Sequence, residues 1–119
     1  ILTNCYSTGI VGGAGVNRGG FCGKSNAAIT SCYWDMDTSL WATSKGAEVG
    51  KTTAEMLVQG TFVAWDFAVI WCISALYNNG YPCFRGIPSY HWDGGNWVYD
   101  GVPVFIVAPT VTTGGAVVS

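Results

Sequence analysis

The chain has 119 residues, of which half are hydrophobic and only 10% are charged, and its formal net charge is −2. An ordinary soluble domain carries about 25% charged residues, so this chain must bury much of its surface in a core or against neighbours. Its few basic residues are scattered, which argues against a nucleic-acid partner; they are Arg18, Lys24, Lys45, Lys51 and Arg85.

The apolar stretches and the first residue set further limits. The longest apolar runs, residues 67–76 and 102–108, are too short for a membrane-spanning helix. Because the chain begins at Ile1 and lacks an initiator Met, we expect either a processed product or a fragment.

A short internal repeat marks the N-terminal region. Leu2–Tyr6 aligns with Ile29–Tyr33 at a spacing of 27 residues, and between them Gly19–Gly23 predicts a short strand bracketed by glycines. Short strands, glycine corners and a period in the twenties are typical of a β-solenoid. Stacked coils would place Tyr6 over Tyr33. The alternative is a chance match between two strands of a β-sandwich.

The middle of the chain predicts one helix. Residues 35–50 are polar and rich in turn formers, which indicates an excursion from the solenoid. Thr52 and Glu55 then fit a capping box, which predicts a short helix near 53–58 that stops at Gly60.

Aromatic and β-branched residues follow this helix. Phe62–Ile73 predicts one or two strands or a buried cap, and Asn78–Gly80 predicts a turn before the short strand Tyr81–Phe84.

The C-terminal region predicts an aromatic hairpin and an extended tail. A four-residue loop at 93–96 pairs Trp92 with Trp97 and Tyr90 with Tyr99 across the strands. These flat rings suit either stacking on sugars or a contact between subunits.

The tail and the domain boundary complete this prediction. Val102–Ala108 reads as an uncharged strand, and the Thr-, Val- and Gly-rich residues 110–119 also read as extended. The sequence therefore predicts a solenoid with its cap over residues 1–86, and the hairpin and tail over residues 87–119.

Several spaced motifs between residues 1 and 85 resemble the GLUG-motif repeats of large bacterial surface proteins. They are Asn4–Gly9, Gly19–Gly23, Ser31–Asp35, Gly50–Met56, Thr61–Phe62, Trp65–Phe67, Trp71 and Asn79–Pro82. The resemblance implies a mostly all-β fold, a short right-handed parallel β-solenoid closed by a helix-containing cap, on an exported protein. It also implies roles in surface display and adhesion, and it supplies no catalytic residues. The chain departs from the pattern in having only one and a half repeats.

The cysteines leave their pairing open. Cys72 and Cys83 flank a turn and are disulfide candidates, which would indicate an oxidising compartment. Cys5 and Cys32 would stack one coil apart, where either a disulfide or a pair of free thiols fits. Cys22 is the remaining candidate, for either set or for another chain. No Cys-x-x-Cys pair occurs and His91 is the only histidine, so we expect no metal site and no cofactor.

The acidic residues give little support to catalysis. Asp35–Ser39 could offer oxygens to calcium, although an Asx-type turn is the simpler interpretation. No pair of acids is spaced to predict a glycosidase, and a Ser or Cys nucleophile would have to use His91. We therefore expect that the protein is not an enzyme.

Two functional hypotheses remain, both extracellular or at the cell surface. The first is a fimbria-like structural subunit that polymerises head to tail by β-strand addition, because an open first coil and an uncharged tail expose unpaired backbone. The second is a fragment of a large adhesin that binds glycan or a host surface through the hairpin. The partners are therefore other copies of the chain or glycans. The predicted self-assembly residues are Ile1, Leu2, Val102, Val104, Phe105, Ile106 and Val107.

Overall fold

The computed structural model describes residues 1–104 together with Thr110–Val111 and Val117–Val118. Two compact units divide the chain, Ile1–Trp65 and Asp66–Ser119. The boundary between them lies before the one predicted after residue 86, and it groups the segment around Trp71 with the hairpin. The predicted assignment of domains stays a prediction.

Short parallel strands build the N-terminal unit, with two helices of one turn each. Its elements are β1 Leu2–Thr3, β2 Tyr6–Ser7, β3 Ile29–Thr30, β4 Tyr33–Asp35, α1 Met36–Ser39, β5 Val49–Lys51, α2 Thr53–Met56 and a 3-10 turn at Gln59–Thr61. Strand β1 pairs with β3, and β4 lies between β2 and β5. All of these pairs are parallel.

The predicted register of the repeat is confirmed. Tyr6 lies opposite Tyr33, and Leu2 lies opposite Ile29, at the predicted spacing of 27 residues. The four rings of Tyr6, Tyr33, Phe62 and Trp65 pack together, with centroid distances of 4.8 to 6.5 Å. The Trp65 indole nitrogen donates to the Ser31 carbonyl over 2.8 Å. Burying these rings holds the paired strands together.

The predicted right-handed parallel β-solenoid is wrong as a fold class. The strands that the structure describes are two to five residues long and lie in small separate sheets. They make up only 24% of the chain. Residues 8–28 contain no strand, so the predicted strand Gly19–Gly23 is not formed. This stretch is rich in glycine, which has no side chain to pack on a sheet. An added Cβ at Gly20 would overlap the Trp34 indole, so Gly20 serves close packing and not strand formation.

The helix prediction is confirmed in part. Thr52 caps α2, its hydroxyl accepts from the Glu55 backbone N–H, and the Glu55 carboxylate accepts from the Thr52 N–H. The helix ends at Met56, earlier than predicted. A second helix, α1, was not predicted; it starts because the Asp35 carboxylate accepts two backbone N–H groups. No helix in the described ranges is long and apolar enough to cross a membrane.

Antiparallel pairs build the C-terminal unit. Its elements are β6 Trp71–Cys72, a 3-10 turn at Asn78–Gly80, β7 Cys83–Phe84, β8 Ser89–Trp92, β9 Trp97–Gly101, β10 Thr110–Val111 and β11 Val117–Val118. Strand β6 pairs with β7, β8 with β9, and β10 with β11. Within the predicted strand segment 62–73 only β6 forms, and residues 102–104 are not strand.

Candidate functional site: an exposed aromatic hairpin face

The hairpin formed by β8 and β9 carries four aromatic side chains on one face. Tyr90 lies opposite Tyr99 and Trp92 opposite Trp97, as predicted. Alternation along each strand places all four on the same side of the sheet. Their exposed fractions are 50% for Tyr90, 50% for Trp92, 69% for Trp97 and 57% for Tyr99. We call these four residues the aromatic face.

The rings of the aromatic face meet in cross-strand pairs. The Tyr90 and Tyr99 centroids lie 5.3 Å apart, and those of Trp92 and Trp97 lie 5.4 Å apart. Such tilted and edge-to-face contacts each contribute about 0.5–1.5 kcal/mol beyond burial. The pairs therefore limit the motion of rings that remain half exposed.

The loop that closes the hairpin is held by Asp93. Its Oδ1 accepts from the backbone N–H groups of Gly95 over 3.0 Å and Asn96 over 2.8 Å. These two bonds lower the pKa of Asp93, and the bond from the Asn96 backbone N–H has the larger effect. Gly94 has φ +97°, a conformation that favours glycine. The loop thus fixes the register that brings Trp92 and Trp97 together.

The opposite face of the hairpin is tied down by Asp100. A β-bulge between Ser89 and Tyr90 shifts the register, so that Asp100 is the extra residue on β9. Asp100 Oδ1 lies 2.6 Å from His91 Nδ1, and Oδ2 accepts from the Asn78 backbone N–H over 2.8 Å and the Ser89 hydroxyl over 3.2 Å. The carboxylate thereby joins both strands to the 3-10 turn at Asn78–Gly80.

Hydrogen bonds keep this carboxylate ionised. The bond from the Asn78 backbone N–H, which outweighs burial, and the bonds from His91 and Ser89 lower the pKa of Asp100. A nucleophile–base relay would need Ser89 to bond to the imidazole. Its hydroxyl donates to Asp100 instead. The three groups therefore form an anchor for the hairpin.

The predicted self-assembly residues fall into two groups. Ile1, Leu2, Val102 and Val104 are exposed. Three others, Phe105, Ile106 and Val107, lie outside the described residues. Strand β1, which contains Leu2, pairs on one edge only among the strands the structure describes.

The cysteine candidates are free thiols in this structure, and only one pair faces across antiparallel strands. Cys72 lies opposite Cys83 between β6 and β7. The Cys5 thiol donates to the Thr3 carbonyl over 3.2 Å, and the Cys22 thiol to the Glu48 carboxylate over 3.2 Å.

The acidic cluster near residue 35 serves as a helix cap. Asp35 is fully buried, and its Oδ1 accepts from the backbone N–H groups of Asp37 and Thr38. The Thr53 hydroxyl also donates to this carboxylate. The Asx-type interpretation is therefore confirmed. Among the described residues no group of three or more His, Cys, Asp or Glu side chains is placed to hold a metal ion.

Sequence reasoning missed the anchor on the far side of the hairpin. Asp100 and His91 were assigned no role, and Asn78 was assigned only a turn. Asp100 follows Tyr99, so strand alternation places it on the face of the hairpin away from the rings. This alternation was the signal in the sequence that could have indicated its position. The bond to Asn78, 22 residues away, leaves no trace in a local pattern.

No family model matches the chain, no curated protein matches it, and no solved structure does. The choice of ligand proposed for the chain therefore depends on its own residues and their geometry.

Proposed function

We propose that the chain is an extracellular surface-protein module that binds a neutral polysaccharide through the aromatic face. The observation that carries this proposal is a set of four rings, each half or more exposed, on a hairpin whose other face is anchored by Asp100. Binding energy is not spent on ordering the site, because ring pairs and the anchor already hold it.

The chemistry of the face favours a carbohydrate ligand. Trp and Tyr rings offer flat apolar surfaces with polar tips, and a pyranose offers a flat C–H face with hydroxyl groups at its rim. The hairpin contains Asp93 and Asp100 and no Lys or Arg. Its negative charge disfavours an anionic glycan. A neutral β-linked glucan satisfies both conditions.

The resemblance to GLUG-motif surface proteins supports the extracellular location. Those proteins act in display and adhesion, for which glycan contact is an ordinary task. The likeness carries no ligand of its own, so the choice of a neutral glycan comes from the hairpin residues.

Affinity electrophoresis tests this function. We expect the protein to be retarded in gels containing a soluble neutral β-glucan and not in gels containing alginate. Trp97→Ala should weaken retardation at least about tenfold, whereas Trp97→Phe keeps a ring and should retain most of it. Leu76→Ala removes an exposed apolar side chain elsewhere in the unit and should have no effect. Equal retardation of Trp97→Ala and wild type would refute the proposal.

A second candidate function is assembly with other copies of the chain by strand addition. One edge of β1 is open among the described strands, and Leu2 on it is exposed. Negative-stain microscopy should then show fibres of the full chain, and Leu2→Lys should prevent them. A chain truncated from residue 105 tests whether the tail takes part in fibre formation. This truncation keeps the hydrogen bonds that the Pro103 and Val104 carbonyls accept. Monomers of the full chain at high concentration would exclude this function.

A further inference from the structure

Cys72 and Cys83 occupy opposite positions in the antiparallel pair β6–β7. Continuing the register places Ile70 opposite Arg85, and the Arg85 backbone N–H donates to the Ile70 carbonyl over 2.9 Å. Hydrogen-bonded and non-hydrogen-bonded pairs alternate along such a ladder, so the two cysteines form the next hydrogen-bonded pair. The Cα atoms of such a pair lie about 5.5 Å apart, which is within the range that a disulfide spans.

The Cys83 thiol also lies close to the backbone of Cys72. Cys83 Sγ is 3.7 Å from the carbonyl oxygen of Cys72. Directly opposite residues on antiparallel strands project from the same face of the sheet. Cys72 is buried and Cys83 is half-buried, so a reagent in solvent reaches Cys83 first.

The other three cysteines are arranged differently. Cys5 and Cys32 are adjacent in the parallel ladder, where strands lie about 4.8 Å apart and side chains point the same way, beyond the usual Cβ separation of a disulfide. The Cys32 thiol donates to the Thr30 carbonyl over 3.3 Å. The Cys22 thiol donates to Glu48.

We propose that Cys72 and Cys83 form the one intramolecular disulfide of this chain, and that Cys5, Cys22 and Cys32 remain thiols. The oxidant is a small disulfide such as oxidised glutathione. The Cys83 thiolate attacks one glutathione sulfur and releases the first glutathione thiolate. The Cys72 thiolate then attacks the Cys83 sulfur, closes the bond and releases the second. The protein loses two electrons and two protons, and one glutathione disulfide becomes two glutathione thiols.

Burial raises the pKa of Cys83 to about 11. The thiolate is therefore scarce at neutral pH, and closure in the folded chain should speed up as the pH rises.

The disulfide would fix the loop that supports the hairpin. Residues 73–82 lie between the two cysteines and include Asn78, whose backbone N–H donates to Asp100. Closing this loop removes conformational freedom from the unfolded chain. The inference does not depend on the ligand of the aromatic face.

Peptide mapping tests the pairing. The full chain is equilibrated with oxidised glutathione, alkylated and digested with chymotrypsin without reduction. Cleavage after Tyr77 separates the two cysteines, so the bond yields one linked peptide pair. We expect that pair, with alkyl groups on Cys5, Cys22 and Cys32. A different linked pair, or alkylation of all five cysteines, would overturn the proposal.

Two variants guard against a misleading result. Cys5→Ser should leave the linked pair unchanged; loss of the pair would contradict the proposal. Oxidation should raise the Tm of wild type by at least about 4 °C and should not change the Tm of the double variant Cys72→Ser, Cys83→Ser. An equal rise in that variant would show that other cysteines are responsible.

Discussion

His91 Nδ1 lies 2.6 Å from Asp100 Oδ1 on the side of the hairpin that faces away from the four aromatic rings. The same carboxylate accepts from the Asn78 backbone N–H, so one side chain connects both strands to a neighbouring turn. A two-stranded hairpin is only marginally stable alone. The anchor explains how this one can hold large rings in solvent in a defined arrangement.

The anchor predicts a loss of stability in acid. Because the Asn78 bond and its neighbours lower the pKa of Asp100, the folded chain binds a proton there less readily than the unfolded chain. The stability gained is complete above the ordinary carboxyl pKa of about 4 and is lost as the pH falls through the lowered folded value.

Urea unfolding of wild type and Asp100→Asn measures this effect. At about pH 6 we expect the variant to be less stable, and the difference should vanish toward about pH 2. Asp93 and Glu55, whose pKa values are also lowered, leave some pH dependence in the variant. Parallel curves for the two proteins would show that Asp100 is not the anchor.

Close packing at Gly20 predicts a steric defect. A Cβ at this position would overlap the Trp34 indole, which is buried. Gly20→Ala should therefore destabilise the chain by about 1–3 kcal/mol, measured by urea unfolding. Gly60→Ala is the matched control, because its Cβ would meet no atom within 4 Å. A change equal to that of the control would contradict the packing.

The buried cap at Asp35 predicts a larger cost than the exposed cap at Thr52. Asp35→Ala removes the acceptor of two backbone N–H groups and of the Thr53 hydroxyl, and should cost roughly 3 kcal/mol. Thr52→Ala should cost about 1 kcal/mol. Thr53→Ser keeps the hydroxyl and should have little effect. Thermal unfolding gives the order, and a smaller loss for Asp35→Ala than for Thr52→Ala would contradict it.

Local patterns predicted local structure well. The Thr52–Glu55 capping box, the pairing of Tyr6 with Tyr33 and the register of Trp92 with Trp97 all depend on nearby residues or on a repeat. These features are visible in sequence because side-chain type and spacing determine them directly.

Longer-range features were not predictable in the same way. The solenoid prediction was wrong because residues 8–28 form no strand, and within this glycine-rich stretch Gly20 packs against the Trp34 indole. The aromatic face was identified, but its anchor was missed because the Asn78–Asp100 bond joins distant positions. Tertiary contacts of this kind override local propensity.

The central claim is that the aromatic face binds a neutral glycan, and the indole N–H signals of the protein test it most directly. The chain has six tryptophans, and four of them lie outside the hairpin and serve as internal references. On titration with a soluble neutral β-glucan, NMR should show that the Trp92 and Trp97 signals shift while the other four stay in place. Unchanged signals from Trp92 and Trp97, or equal shifts at all six, would contradict the account.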